Sequence, residues 1–475
     1  MPSASSSSSS VSDSSRPAPS SLWRDGDFRR LWVGQTASQL GEHTSLLVLP
    51  LLAVLTLDAG AGQLGVLRAV GQAPILLLSL FVGAWVDRWR TLTVMVLTDA
   101  GRTLALGAAA LAGILGWLGL PALLAVAFAV GTLSVFFDVA YQTSLVRLVK
   151  RDQLVRGNSA LEGSRSAAQI GGPALGGALV SLLSAPIAAA SSALFFALSF
   201  LSIRRIRRTE SLPERSEGSE GSGGPEGPRL EGLEGSARPP RIWRRIHEGL
   251  RFVAGDTSLR AVCLASAAFQ FSLAATMTVY LLFLPRELHL SGTAVGLSLA
   301  AAGPGALLGS VLAARLPGRF GYGAVLVSAA ALGDGAYMCV PALHGSPALT
   351  IPVLLAINFV FGTGGQLVNV TVMAVRQAVT PDGMQARAAA TITFVGMGLT
   401  PLGSLLGGFL AEEWGLRTSL LVTATGMLLS PVLMALSPLA RLGRILQAHQ
   451  SPPPTHEFPD SHEPDHHDNT ARASE

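Results

Sequence analysis

The sequence predicts an all-α integral membrane protein of twelve transmembrane helices in two pseudo-symmetric six-helix bundles. Three observations carry this. Hydrophobic residues make up 49% of the 475 residues and charged ones only 13%, about half the charge of a soluble domain, which leaves too little polar surface to face water all round. The apolar residues fall into twelve runs, each long enough to cross a hydrocarbon core about 30 Å thick at about 1.5 Å per residue. The second six runs resemble the first six at an offset of about half the chain.

Residues 1–23 are rich in Ser and Pro and predict a disordered tail. They lack the basic region and short apolar core of a signal peptide. The first six runs lie at about 31–57, 64–86, 91–116, 121–146, 160–183 and 186–203, forming a bundle over 24–203. A gap of Gly, Glu, Pro, Ser and Arg over 204–240 offers almost nothing to bury and predicts a flexible cytoplasmic linker. Over 241–257, Ile242, Ile246, Leu250 and Val253 recur at helical spacing among arginines, which predicts an amphipathic helix on the membrane surface. Runs at about 259–284, 293–314, 322–343, 348–373, 389–411 and 416–437 make a second bundle over 258–440. Residues 441–475 predict a disordered tail, whose His and Asp residues read as solvated rather than as a metal site.

Charge sets the orientation. Arg29, Arg90, Arg156, Arg204, Arg319, Arg376 and Arg441 all fall in or beside loops on one side, with little beyond Arg68, Arg286 and Arg417 on the other. Basic loops stay in the cytoplasm, so both termini are expected there. The same distribution explains the isoelectric point near 9.6 without a nucleic-acid groove. Cys263 and Cys339 lie in apolar runs and imply no disulfide framework.

The repeat is clearest around two loops, TSLVRLVKRDQLVRGNSA and TVMAVRQAVTPDGMQARAAA, each followed by a Gly pair, Gly176-Gly177 and Gly407-Gly408. Two similar six-helix halves joined by a long loop are the parallel repeat of transporters. Two motifs make the resemblance specific. GAWVDRWR resembles the loop signature of the major facilitator superfamily, with Gly83, Asp87 and Arg88 matching; the signature's second Gly and basic pair are absent, since Arg90 and Thr91 stand there. GGPALGG resembles that superfamily's antiporter signature through Gly172, Pro173, Gly176 and Gly177. A proline bends a helix and glycines admit a close neighbour, an arrangement suited to limiting leak between the halves. The stretch from FRRLWVGQTASQLGE to GGPALGGALV is similar to a branch of bacterial macrolide-efflux and enterobactin-exporter-like proteins.

That resemblance implies a major facilitator fold and a drug:proton antiporter, an exporter of amphipathic small molecules such as drugs or siderophore-like metabolites. It implies no enzyme activity. An uptake symporter coupled to protons or sodium stays open on the same fold, with a membrane receptor or membrane enzyme more remote. No cofactor or metal is expected, and the partners are the bilayer, the solute and a coupling ion. The single lysine, Lys150, is followed by Arg151, so no Gly-Lys-Ser/Thr loop cradles ATP. A composition rich in Ala, Gly, Leu and Arg suits a high-GC bacterium and its cytoplasmic membrane.

Ionisable groups at bilayer depth cost about 2.5–3.5 kcal/mol each and face a cavity or a partner. Gln35, Gln39, Glu42 and His43 form a polar stripe on the first helix. Glu42 is either a coupling carboxyl that binds and releases a proton or a static hydrogen-bonded group. Asp99 and Arg102, three apart on the third helix, form either a fixed pair or a switch. Asp334 stands alone on the ninth helix as a further coupling candidate. Asp138, with Glu162 and Arg165, is a candidate inner gate together with the cytoplasmic loop motif. Gln35, Gln39, Gln270, Tyr280, Asn358 and Asn369 are candidates for lining the substrate cavity.

Overall fold

The computed structural model describes residues 22–86, 89–148, 153–206, 250–344, 347–380 and 384–444. Among them twelve helical spans are long and apolar enough to cross a membrane. In the first half these are α1 (Gly26–Thr56), α2 (Ala61–Val86), α3 (Thr91–Ile114), α4 (Leu120–Leu148), α5 (Leu154–Leu183) and α6 (Ala185–Arg204). The second half holds α7 (Thr257–Arg286), α8 (Gly292–Ala300 and Ala302–Ala313), α9 (Tyr322–Ala336, ending in a 3-10 turn Tyr337–Ala342), α10 (Pro347–Val379), α11 (Gln385–Gly398 and Thr400–Trp414) and α12 (Leu416–Met427 and Leu429–Leu436). The expected tails and linker fall almost wholly outside the described residues; of the expected surface helix only 250–257 is described, and 250–255 is helical.

Leu104, Leu182 and Leu436 are 74%, 79% and 82% exposed, so the outer surface is apolar and suited to lipid. Three second-half helices are interrupted by a single residue, at Ala301, Leu399 and Leu428. Each break lies two or three residues before a proline, Pro304, Pro401 or Pro431, where the missing N–H and the ring disturb the helical ladder. Pro50, Pro74 and Pro173 sit inside unbroken helices.

The repeat has a structural counterpart at a constant spacing of 231 residues. Asp25 caps α1 by accepting from the N–H of Asp27 and Phe28, and Asp256 caps α7 by accepting from the N–H of Leu259. Gly131 of α4 crosses the backbone of α2 at Gly71, and Gly362 of α10 crosses α8 at Ala302. The two halves meet in the same register: Gly65 of α2 against Gly408 of α11, and Gly296 of α8 against Gly177 of α5. A Cβ on Gly408 would stand 2.9 Å from the Gly65 Cα, and one on Gly296 would stand 2.9 Å from the Gly177 Cα. Only glycine lets the backbones approach this closely.

These crossings lie toward one end of the bundle, the side opposite the linker. There a single apolar core joins both halves, running from Leu47–Val54 of α1 to Val279–Leu284 of α7. At the linker side each half has its own core, one around Phe28, Met95 and Phe137 and another around Val262, Val375 and Ile392. On the far side Ser181 Oγ accepts from Thr293 N–H at 2.6 Å, and Arg286 bonds Asp58 at 2.9 Å across the halves. Asp58 is 96% exposed, so Asp58→Asn is expected to change thermal stability by less than about 1 kcal/mol. A melting curve checks this.

Candidate functional site

The first half encloses a charged network in its core. Arg102 of α3 is fully buried and bonds Asp99 on the same helix, Ser38 of α1 at 3.0 Å and Ser134 of α4 at 3.3 Å. Asp99 also accepts from Ser38 and from Ser199 of α6. The guanidinium lies between the Phe137 and Phe196 rings, 4.4 and 4.3 Å from their centres. Four helices are thereby tied through one cation. The pair expected from spacing alone is present, with three serines and two aromatics that no local pattern announces.

Glu42 of α1 reaches this network from the other side. Its Oε2 stands 3.5 Å from Arg102 Nη1 and has no hydrogen-bond partner among the described residues, while the side chain is 21% exposed. It opens into a cavity of about 330 Å³ between α1, α2 and α4, which Asp138, Ser134, Arg68 and Gln72 also line. Asp138, Arg102, Arg165 and Asp99 are the charges that bear on Glu42. Arg68 was expected at the outer loop; because α2 starts at Ala61, it lies two turns inside the helix and faces the cavity instead. Arg68 Nε and Gln72 Oε1 are buried without partners among the described residues, which marks them as groups awaiting a ligand or water. Their i, i+4 spacing was the available signal.

The second half holds a cavity of about 310 Å³ between α7, α9, α10, α11 and α12. Three of the expected residues, Gln270, Asp334 and Asn369, line it together with Arg376. Gln39 and Asp138 of the first half stand at the same 231-residue spacing from Gln270 and Asn369. Tyr280 and Asn358 were expected in the cavity and are packed in the core instead, 0% and 1% exposed. The Asn358 amide donates to Tyr280 at 2.9 Å and accepts from Tyr337 at 2.9 Å, so the polar groups satisfy one another. Gln35 is 1% exposed, and its amide has no partner among the described residues. Gln39 is 3% exposed.

The motif residues are distributed differently. Gly83 lies near the end of α2 and Arg90 is exposed at the start of α3, while Asp87 and Arg88 fall outside the described residues. Glu162 and Arg165 are exposed on α5; Arg165 bears on Asp138 from a distance without a direct ion pair among the described residues. The α5 glycines face two neighbours. Gly172 and Gly176 pack on α1 at His43 and Thr44, whereas Pro173 and Gly177 meet α8 of the other half.

Comparison with known proteins places this architecture. A family profile described as Major Facilitator Superfamily matches residues 31–270, and one described as Transmembrane secretion effector matches residues 231–462. The "Multidrug efflux pump Tap" of Mycobacterium tuberculosis is 27% identical over 411 residues, covering 81% of this chain and 87% of its own, and the Tap protein of Mycobacterium bovis aligns equally well. A bacterial homologue of the iron transporter ferroportin in the inward-facing state superposes with a TM-score of 0.66 at 16% identity, covering 87% of this chain and 98% of its own. An occupied, inward-facing bacterial homologue of the human lysosomal transporter Spinster gives 0.65 at 14% identity, covering 89% and 98%. With more than half the chain matched by the family profile and the fold shared over 87–89% of it, the chain belongs to the Major Facilitator Superfamily of membrane transporters.

Proposed function

We propose that this transporter is a proton-coupled exporter of amphipathic small molecules. It works by alternating access, driven by an ion gradient rather than by ATP, and sits in a bacterial cytoplasmic membrane with both termini and the linker inside. One observation carries the coupling: Glu42 faces open space on one side and a buried Arg102–Asp99 pair on the other. Protonating Glu42 removes a negative charge 3.5 Å from Arg102, so proton occupancy and the packing of four helices are linked. The similarity to a multidrug efflux pump supports export, and mostly apolar cavities with few polar groups suit amphipathic solutes.

With the linker side cytoplasmic, joint packing on the far side and separate cores on the linker side correspond to an inward-open state. In this reading GGPALGG seals the far side, and Asp138 with Glu162, Arg165 and the loop after Gly83 guards the inner mouth. Gly177→Val places side-chain atoms against the α8 backbone. Overpacking of this kind costs about 1–3 kcal/mol, enough to shift the balance between states by about 5- to 150-fold. Far-side accessibility, probed by labelling a cysteine introduced at Val180, which is buried against α8, in an otherwise cysteine-free chain, is expected to rise.

The direct test is solute-driven proton movement in proteoliposomes with an imposed pH gradient, using a panel of amphipathic drugs and siderophores. Dissipation by some of these compounds, absent from protein-free vesicles, is the expected result. Solute accumulation in the same direction as the proton would replace export with uptake. Dependence on sodium alone would replace the coupling ion.

A further inference from the structure

Asp334 is 4% exposed and lines the second-half cavity, yet no described residue lies within hydrogen-bond or ion-pair distance of its carboxylate. Asp99 on the equivalent helix of the first half has Arg102 and two serines. At the 231-residue spacing Gly333 stands at the position of Arg102 and Ala330 at that of Asp99, so Asp334, at the position of Thr103, has no such cation on its own helix. Arg376 lines the same cavity without pairing with Asp334, and among the described residues no charged group bears on that carboxyl. An unpaired carboxylate in a largely apolar site is costly, and an incoming positive charge relieves that cost.

The remaining walls indicate what kind of cation fits. Phe269 offers an aromatic surface backed by Phe361, with ring centres 6.4 Å apart, and Met397 and Met434 add soft, polarisable side chains. Gln270 and Asn369 supply hydrogen bonds at the rim. We propose that this cavity is a binding subsite for lipophilic monocations, with the Asp334 carboxylate as counter-ion to the solute's charge. A diffuse charge on an apolar frame is favoured over a compact ammonium, because the site has too few polar groups to replace a tight hydration shell.

The proposal deepens the exporter reading by naming a solute class, and its test is separate from transport. Binding of methyltriphenylphosphonium and of uncharged triphenylphosphine oxide, close in shape, is measured on the full-length protein in lipid nanodiscs. The phosphonium is expected to bind the wild type well above the neutral compound. Asp334→Asn is expected to weaken the phosphonium by about 30-fold or more, the lower end for losing one partner of a buried charge pair, and to leave the neutral compound within about twofold. Asp334→Glu is expected to retain the preference for charge. Equal phosphonium affinity in wild type and Asp334→Asn overturns the subsite, whatever the vesicle assay gives. So does unchanged phosphonium binding alongside loss of proton-coupled movement of a neutral solute, which would make Asp334 a coupling group instead. Intact phosphonium selectivity with no proton movement for any solute would leave the subsite standing and sink the proton-coupled exporter.

Discussion

Glu42→Gln is expected to leave the transporter folded and to cut solute-driven proton movement by about 5- to 150-fold, the range of a coupling free energy of about 1–3 kcal/mol. The amide keeps the shape of the side chain and its place beside Arg102, but cannot exchange a proton. Arg102 retains Asp99, Ser38 and Ser134, so the helices it ties together stay joined. Solute binding should therefore survive while its link to the proton is lost. Proteoliposomes carrying wild type, Glu42→Gln and Glu42→Asp, each loaded with the same pH gradient, separate the outcomes. Partial coupling in the aspartate variant and none in the glutamine variant supports a proton site. Wild-type coupling in Glu42→Gln would make the residue a static partner of Arg102.

Arg102→Met is expected to be far more damaging to stability. It strands Asp99, which is fully buried, with only two hydroxyls to meet its charge. Breaking a buried pair from one side costs about 3–5 kcal/mol, because the remaining charge is uncompensated. It also empties the space between Phe137 and Phe196. Removing both charges with Asp99→Ala and Arg102→Met should restore much of the loss, since the penalty belongs to the pair. Thermal unfolding in detergent compares the singles with the double. A double variant no more stable than Arg102→Met would mean that the aromatic packing, not the charge pair, holds these helices.

The twelve spans were legible because lipid exposure forces long apolar runs, and only their ends were short. α5 begins at Leu154 rather than near 160, and α10 reaches Val379 rather than 373. Both extensions carry Arg, Gln or Asn, which hydropathy discounts although they are helical. The same effect hid Arg68, whose place depends on where α2 starts. Asp99 and Arg102 were found because their spacing is local, whereas Ser199 and Phe196 arrive from a helix about a hundred residues away. Tyr280 and Asn358 show the converse. A polar stripe on an apolar helix looks the same whether it faces a cavity or a buried Tyr337, and only the fold decides. That Asp334 has no cation on its own helix was legible, since it stands alone there; that a cavity with aromatic and Met walls opens beside it was not, because those walls come from other helices.

The two glycine crossings also constrain how the halves can move. Two rigid bodies touching at two separated points turn most easily about the line through those points. Gly65 against Gly408 and Gly296 against Gly177 define such a line on the far side. In the proposed alternating access, swinging about it narrows the linker-side mouth, and the far side opens only once these crossings part. At the crossings themselves bare backbone meets bare backbone, so the helices roll there without side chains in the way, while the shared apolar core packs beside them. The rule that the two contacts are copies of each other keeps the axle level: a bulky residue at one end alone would tilt it and turn a clean swing into a twist.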